Sequence, residues 1–221
     1  MCNRYSAERR EQIRELALQL DPRATLTEDW LPHINIPPTS KVPVVLAAWN
    51  QPGRLMRWST MTKMGLVFNA RSETLTEKPM WKEAVAHRRC LMLATGFWEF
   101  ETVVKTKIGR YFTLPDRPVF PMAALWLPAD ADQPDRCVMV TNDPNDLVRP
   151  YHDRMPTVMS IDAAKEWLSD QPLPPEAIKR LCQPLSVSAM RQWRSTPEMN
   201  RNSYQEPAAV LPWQPEPDLF G

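Results

Sequence analysis

Apolar residues recur at helical spacing near the start of the chain. Four of them share one helical face: Ile13, Leu16, Ala17 and Leu20. Ser6 is a residue type that favours a helix start, and Asp21 followed by Pro22 ends the apolar pattern. The pattern therefore predicts a helix over residues 6–20.

Beyond that stretch, the apolar runs are short or alternate with polar residues, which is typical of strands. Seven such runs are predicted as strands: residues 42–48, 65–68, 90–95, 110–114, 119–127, 136–141 and 157–160. Three more helices are predicted: residues 79–88, 162–168 and 175–181. We expect an α+β fold, with a mostly antiparallel sheet or a partly closed β-barrel-like core and a few flanking helices.

Length and composition indicate an ordinary globular protein. The chain has 221 residues, of which 43% are hydrophobic and 24% charged, so we expect a single domain over residues 1–221. A proline-rich, extended tail, either packed or frayed on the surface, is expected from about residue 206. Neither a membrane-spanning run nor a secretory signal is recognisable, so we expect a cytoplasmic protein. Nothing in the sequence indicates an oligomer, and a monomer is expected.

Charge and metal-ligand spacing exclude several function classes. The net charge of +1 provides no global attraction to nucleic acid. The four cysteines contain no C-x-x-C pair, and Cys90, Cys137 and Cys182 are expected to be buried, inert thiols. The three histidines, at positions 33, 87 and 152, lack short ligand spacing, so no metal is expected. No phosphate-binding loop is present, and no cofactor is expected.

Cys2 directly follows the initiator methionine. Removal of Met1 would leave an α-amine and a thiol on one residue, which together form a 1,2-aminothiol. Such an amine attacks aldehydes, and the neighbouring thiol then closes on the imine to form a five-membered thiazolidine. The alternative is that Cys2 is an ordinary second residue.

Three internal segments carry further candidate chemistry. Asn69 and Arg71 follow a predicted strand and could hold a sugar hydroxyl and a phosphate. The alternative is a turn at the strand end with a surface pair between Arg71 and Glu73. Glu99 is surrounded by aromatic residues, and desolvation should raise the pKa of its carboxyl towards neutrality, unless it faces solvent from an edge strand. His152 is the histidine flanked by both acid and base, and it could transfer protons near pH 7.

Together the motifs resemble one family, the SRAP (SOS response-associated peptidase) proteins. Five motifs occur in that family's order: Met1-Cys2-x-Arg4-Tyr5, Asn35-Ile36-Pro37-Pro38-Thr39, Asn69-Ala70-Arg71-x-Glu73-Thr74, Gly96-Phe97-Trp98-Glu99 and His152-Asp153-Arg154-Met155-Pro156. Each motif alone is weak, whereas five in order after a second-position cysteine are specific. The resemblance runs from residue 2 to about residue 190.

The resemblance implies covalent capture of abasic sites in single-stranded DNA, which shields the lesion from strand cleavage. By this resemblance Cys2 attacks the open-chain deoxyribose aldehyde and forms the thiazolidine. Glu99 moves protons, His152 assists opening of the sugar, and Asn69 holds the sugar and the N-terminus. The same resemblance implies association with the nucleoid after DNA damage.

The resemblance also implies a DNA-contact surface. Arg4, Arg71 and Arg154 are the implied phosphate contacts. Unpaired bases would stack on aromatic side chains, for which the candidates are Trp58, Trp98 and Phe100.

The chain departs from the family pattern in three places. Asn3 stands where glycine is usual, Phe100 stands where tryptophan is common, and the tryptophan-glycine stretch is shortened to residues 58–63.

Two alternative functions remain open. Cys2 could be the nucleophile of a thiol peptidase or an autopeptidase with His152 as its base, or the chain could bind single strands without chemistry.

Overall fold

The computed structural model of the chain describes residues 2–26, 33–46 and 53–214. The strands there are β1 (Tyr5–Ala7), β2 (His33–Ile36), β3 (Lys41–Leu46), β4 (Arg54–Trp58), β5 (Thr60–Thr62), β6 (Gly65–Val67), β7 (Asn69–Arg71), β8 (Arg89–Ala94), β9 (Gly96–Val103), β10 (Thr106–Thr113), β11 (Phe120–Leu127), β12 (Arg136–Asn142), β13 (Met155–Pro156) and β14 (Arg191–Arg194). The helices are α1 (Arg10–Leu20), α2 (Pro79–His87), α3 (Ile161–Trp167) and α4 (Pro175–Leu181). Among these described helices, none has the length and apolar character needed to cross a membrane.

A closed five-stranded barrel forms the centre of the molecule. Its strands follow the order β11, β8, β3, β4 and β12, and β12 pairs again with β11 to complete the ring. Only the pairing of β4 with β12 is parallel within this ring. The expected α+β fold with a mostly antiparallel, barrel-like core is therefore confirmed.

The barrel strands β8 and β11 explain why their sequences read as nearly continuous apolar runs. Every residue of β8 is buried, as are the first six residues of β11. One side of these strands faces the barrel interior, and helices α2 and α3 contact both strands. A strand covered on both faces has no polar positions to alternate with apolar ones.

A second sheet packs beside the barrel and carries the start of the chain. Its strands follow the order β14, β10, β9, β1 and β2. A separate apolar cluster joins this sheet to the C-terminal segment of the chain: Ile34, Trp98, Tyr111, Met199 and Ala209. The part of the chain from Met199 to Val210 therefore belongs to the packed structure.

The helix predicted over residues 6–20 is correct for its apolar face and wrong for its start. The four face residues are buried, but α1 begins at Arg10, and Ser6 lies in strand β1. The Ser6 hydroxyl hydrogen-bonds to the hydroxyls of Thr95 and Tyr111, each at 2.8 Å. Ser6 is a residue type that favours helix starts, but here its hydroxyl bonds to side chains of neighbouring strands. These tertiary contacts override the local preference.

Most of the other predicted elements lie within a few residues of the observed ones. Helix α4 has the predicted bounds. Relative to the predictions, β8 is shifted, β11 shortened and β12 extended, each by a single residue. Strand β10 begins four residues earlier than predicted. The last two residues of the predicted strand 42–48 lie outside the described residues, and β3 covers the rest.

Two expectations near the C-terminus need correction. The strand predicted at residues 157–160 is wrong, because β13 ends at Pro156 and Val158 forms only an isolated bridge with Met122. The tail was expected to be extended, but Pro207–Val210 forms a 3-10 turn that buries Ala209 completely. The part of the predicted tail from residue 215 onward lies outside the described residues.

Gly96 is the position in the second sheet where a side chain has least room. A Cβ atom there would lie 2.2 Å from the Tyr111 ring and hydroxyl. We expect Gly96→Ala to lower the free energy of unfolding by about 1–3 kcal/mol, because the ring cannot move without breaking its bond to Ser6. Urea denaturation of both proteins measures this difference.

Gly109→Ala is the matched control for that substitution. A Cβ atom at Gly109, on the adjacent strand β10, would meet the Met199 sulfur at 2.6 Å. Methionine side chains adjust readily, so this variant should lose less stability than Gly96→Ala. Equal losses would contradict the role assigned to Tyr111.

Candidate functional site

Cys2 lies immediately before β1 and is buried, with 1% of its surface exposed. Its thiol donates a hydrogen bond to the backbone carbonyl of Arg154 at 3.7 Å. The Glu99 carboxylate is a second acceptor close to the sulfur for the same single proton. Burial, together with the negative charge of Glu99, raises the pKa of the Cys2 thiol well above its ordinary value. The thiol is therefore protonated near pH 7.

Glu99 reaches Cys2 from strand β9, which lies between β10 and β1 inside the second sheet. The alternative of a solvent-facing glutamate on an edge strand is therefore wrong, and the residue is 1% exposed. Burial raises the pKa of Glu99 to about 7, while its hydrogen bond with Cys2 and the charge of Lys107 oppose the rise. Its Oε1 atom has no hydrogen-bond partner among the described residues.

Asn69 approaches Cys2 from strand β7, which pairs with the barrel strand β12. Parallel pairing of β7 with β12 places Asn69 beside Met139, and the Asn69 amide donates a 2.8 Å hydrogen bond to the Cys2 carbonyl. Asn69 is buried, and its Oδ1 atom, like Oε1 of Glu99, lacks a partner in the described part of the chain. Two unpaired, buried acceptors thus belong to side chains that contact Cys2.

His152 lies in the loop between β12 and β13, and its side chain is 22% exposed. Burial lowers the pKa of its imidazole, so the neutral ring predominates at pH 7. The backbone N–H of Arg154 donates to Nδ1 at 2.9 Å, which leaves the ring proton on Nε2. Asp153 Oδ1 lies 2.9 Å from the same nitrogen, and it can accept a bond there only from a form of the ring that carries a proton on Nδ1.

Two of the three predicted phosphate contacts have internal partners. Arg4 is buried and donates to the side-chain oxygens of Asn35 and Asn202, each at 2.6 Å. Arg154 is also buried and forms ion pairs with Glu73 and Asp143. Arg71 is exposed at the end of β7. The alternative of an Arg71–Glu73 surface pair does not occur, since Glu73 pairs with Arg154.

The predicted stacking residues are placed at different depths. Trp58 and Trp98 are completely buried, and their indole N–H groups donate to the Phe68 carbonyl and the Ser195 hydroxyl at 2.9 and 2.8 Å. Neither ring is available for stacking on a base in this conformation. Phe100 is partly exposed, and the Lys107 ammonium lies 4.1 Å from its ring centroid.

The departures from the family pattern have plain structural counterparts. Asn3 is not among the described residues with positive φ, so its position does not demand glycine. The shortened stretch after Trp58 leads into a hairpin of strands β5 and β6. Met61 and Met64 of this hairpin are 54% and 98% exposed.

Sequence reasoning gave no role to Glu73, Asp143 or the backbone of Arg154. Glu73 stands within one of the five motifs, so its position was visible although its partner was not. Arg154 and Glu73 are separated by 81 residues in sequence, and only the pairing of β7 with β12 brings them together. Asp143 follows β12 directly and carries no sequence signal that we recognised.

The fold combines a closed barrel with a second sheet, and a buried cysteine at position 2 lies between them beside a carboxylate and an amide. These features define a class of protein whose site is built around an N-terminal cysteine. The sequence model of the SOS response associated peptidase (SRAP) family matches residues 1–202. The chain belongs to the SRAP family.

Several relatives share the name "abasic site processing protein". YoqW of Bacillus subtilis is 27% identical over 194 residues, which is 82% of this chain and 87% of that protein. HMCES of Xenopus tropicalis is 25% identical over 166 residues, or 65% of this chain and 50% of that protein. YedK of Escherichia coli is 29% identical over 107 residues, 48% of each chain.

Solved structures support the fold. A protein from Bacteroides thetaiotaomicron superposes with a TM-score of 0.76 at 21% identity, covering 96% of this chain and 99% of that chain. A phage-related protein from Bordetella bronchiseptica gives a TM-score of 0.70 at 23% identity, covering 87% of this chain and 93% of that chain.

Because the pKa of Glu99 is raised in the folded protein, the stability of the protein should depend on pH. The folded protein holds the Glu99 proton more tightly than the unfolded chain, whose glutamates titrate near 4.5. Its contribution is therefore fully present below pH 4.5 and is lost as the pH rises through about 7. Between those limits the unfolding free energy of the parent protein should fall by about 3 kcal/mol. The Glu99→Gln variant has no carboxyl to titrate at this position, so it should not show this fall.

Urea denaturation at pH 5 and pH 8 measures this effect. The same substitution at exposed Glu15 of α1 controls for the removal of one carboxylate. If the Glu99→Gln variant and its parent had parallel pH profiles, the assigned pKa shift would be wrong.

Proposed function

We propose that this chain captures abasic sites in single-stranded DNA covalently, through a thiazolidine at Cys2. The observation that carries the proposal is the polar cluster around that residue. A buried carboxylate with a pKa near 7 and a buried amide both hydrogen-bond to Cys2, and each keeps an unpaired acceptor oxygen. Unpaired buried acceptors cost about 1–3 kcal/mol each, a cost that is typical of functional sites.

The names of the relatives support the lesion as the substrate. Proteins with 25–29% identity to this chain are named abasic site processing proteins. An abasic deoxyribose in its open form presents an aldehyde at C1′, which is the electrophile that an aminothiol traps. The chemistry of Cys2 and the names of the relatives therefore lead to the same class of substrate.

The proposed reaction releases one water molecule. Once Met1 is removed, the α-amine of Cys2 adds to the aldehyde carbon, and loss of water gives an imine. The thiol sulfur then bonds to the imine carbon while the thiol proton passes to the nitrogen, which closes the ring. Because Glu99 titrates near pH 7, it can accept the proton of the ammonium and return one to the departing hydroxyl.

His152 and Asn69 suit supporting roles in this scheme. Neutral His152 carries its proton on Nε2, which makes it a donor for the ring oxygen as the closed sugar opens. The Asn69 amide holds the Cys2 carbonyl, and its unpaired Oδ1 can accept a bond from a sugar hydroxyl or from the freed amine.

The protonation state of the thiol favours this reaction over a thiol peptidase. A cysteine peptidase attacks with a resting thiolate, whereas burial and Glu99 raise the pKa of the Cys2 thiol. Two hydrogen-bond acceptors lie beside the sulfur, the Arg154 carbonyl and the Glu99 carboxylate. Both acceptors therefore favour a thiol that remains protonated until an imine is present.

DNA contacts are assigned to the exposed groups near the site. Arg71 ends the strand that carries Asn69, so a phosphate bound there would lie next to the captured sugar. Phe100 lies on β9, the strand that carries Glu99, and it offers a partly exposed aromatic surface with the Lys107 ammonium over its ring. Binding without chemistry would use the same groups and leave Cys2 without a role.

Intact mass after incubation with a short single strand carrying one abasic site tests the capture reaction. We expect a species that lacks Met1 and gains the mass of the oligonucleotide less one water. Cys2→Ala should abolish this species, and so should acetylation of the α-amine with the thiol left free. The intact oligonucleotide of the same sequence serves as the control.

The alternatives predict different outcomes. A thiol peptidase would tolerate the blocked amine, and a plain single-strand binder would treat intact and abasic strands alike. A denaturation-resistant adduct that persists in Cys2→Ala would rule out the aminothiol mechanism.

Arg71→Ala tests the phosphate contact. We expect weaker binding to intact and abasic single strands alike, because a phosphate contact carries no information about the lesion. The slope of log affinity against log salt should become shallower by about 0.7, the value for one phosphate on a single strand. Exposed Lys165 on α3, changed to alanine, is the control, and an unchanged slope for Arg71→Ala would place Arg71 off the DNA path.

A further inference from the structure

Arg154 contacts the site through its main chain on both sides of one Cα atom. Its N–H donates to Nδ1 of His152 at 2.9 Å, and its carbonyl accepts the thiol of Cys2 at 3.7 Å. The first bond keeps the proton of neutral His152 on Nε2, and the second directs the Cys2 thiol. A shift of this Cα atom would therefore disturb the acid and the nucleophile together.

The side chain of Arg154 is itself held in place by hydrogen bonds, and these limit movement of its Cα atom. Its two terminal nitrogens make four hydrogen bonds: to Oε1 and Oε2 of Glu73 at 2.5 and 2.9 Å, to Oδ1 of Asp143 at 2.9 Å and to the Thr141 carbonyl at 2.5 Å. The side chain is 7% exposed. Bidentate pairing of this kind fixes the direction as well as the distance of a guanidinium.

We infer that Arg154 is a positioning residue, which uses its ion pairs with Glu73 and Asp143 to hold the Cys2 thiol and the His152 ring in register. This inference rests on the proposed function of Cys2. It replaces the phosphate contact that the family resemblance implies for Arg154.

A phosphate contact would require a costly rearrangement. All the N–H groups of the two terminal nitrogens are occupied. The Nε–H has no partner among the described residues, but it is buried, so a phosphate could reach this guanidinium only after the structure around it opens. Two carboxylates would then face a polyanion without their cation. Exposed Arg71 needs no such change, because the structure already leaves its guanidinium at the surface.

The anchor also joins three separate segments of the chain. Glu73 belongs to the 3-10 turn Ser72–Thr74 after β7, and Thr141 belongs to β12. Strand β7 is the strand that carries Asn69. Through Arg154, the amide that holds the Cys2 carbonyl and the loop that holds the Cys2 thiol share one rigid support.

Glu73→Gln separates the two roles because they predict different results for DNA binding. Glu73 touches neither Cys2 nor His152 in the contacts described above, and its side chain is 45% exposed, so the variant should fold. A positioning role predicts a capture rate constant about 10-fold lower at saturating abasic strand, since small displacements of reacting groups are expensive. Affinity for the intact strand and its salt slope should stay unchanged.

A phosphate-binding Arg154 predicts the reverse pattern. Loss of the Glu73 charge would free the guanidinium, tighten binding to the intact strand and steepen the salt slope. That result would overturn the inference, and so would an unchanged capture rate. Glu83→Gln, which removes a similar ion pair with Arg88 on α2, is the matched control and should leave both capture and binding at parental values.

A measurement without DNA keeps this inference separate from the proposed function. In ¹⁵N NMR spectra of the histidines, the parent protein should show His152 mainly as the Nε2–H tautomer, and Glu73→Gln should weaken that preference. If the parent formed no adduct while the tautomer still responded to Glu73→Gln, the capture reaction would fail and the positioning role would stand. An unchanged tautomer would overturn the positioning role.

Discussion

The site depends on the pairing of strand β12 more than on any other single interaction. β12 closes the barrel against β11 and β4, and it also pairs with β7 and β13. These pairings bring Asn69 on β7 and the loop before β13 to one end of the barrel. The second sheet then supplies Cys2 and Glu99 through β1 and β9. A slip in the β12 register would separate the amide and the loop from the cysteine.

Burial is the common cause of the electrostatic character of this site. It raises the pKa of Glu99 and of the Cys2 thiol, and it lowers the pKa of His152. Each group is thereby moved towards its neutral form, and the carboxyl titrates where a proton-transfer group at neutral pH is most effective. The fold accepts unpaired acceptors on Glu99 and Asn69, a local cost in stability that is frequent at reactive sites.

The sequence predicted the elements whose pattern has one simple cause. Strands β8 and β11 are continuous apolar runs because both faces are covered, and α4 has clear ends. Strands β1, β2, β9 and β14 of the second sheet were missed, because short strands with mixed composition gain their stability from partners far away in sequence. Asn69, Glu99 and His152, which lie around Cys2, all stand in motifs that the sequence analysis singled out. The internal partners of Arg4 and Arg154 were not visible in the sequence, since a motif shows that a guanidinium is present but not that an internal acceptor reaches it first.

Burial also explains how the proposed aminothiol would stay unreactive until its substrate binds. A free thiolate at the surface would react with any oxidant or electrophile, whereas the Cys2 thiol is buried and protonated, with two acceptors beside its sulfur. In the proposed reaction the imine forms first at the amine, and only then does an electrophilic carbon lie beside the sulfur. Glu99, which lies beside the thiol, can take up its proton at that moment and pass it on to the nitrogen. The reactivity of Cys2 would therefore be conditional on a bound aldehyde, a property of the buried carboxylate and thiol as a pair and not of the cysteine alone.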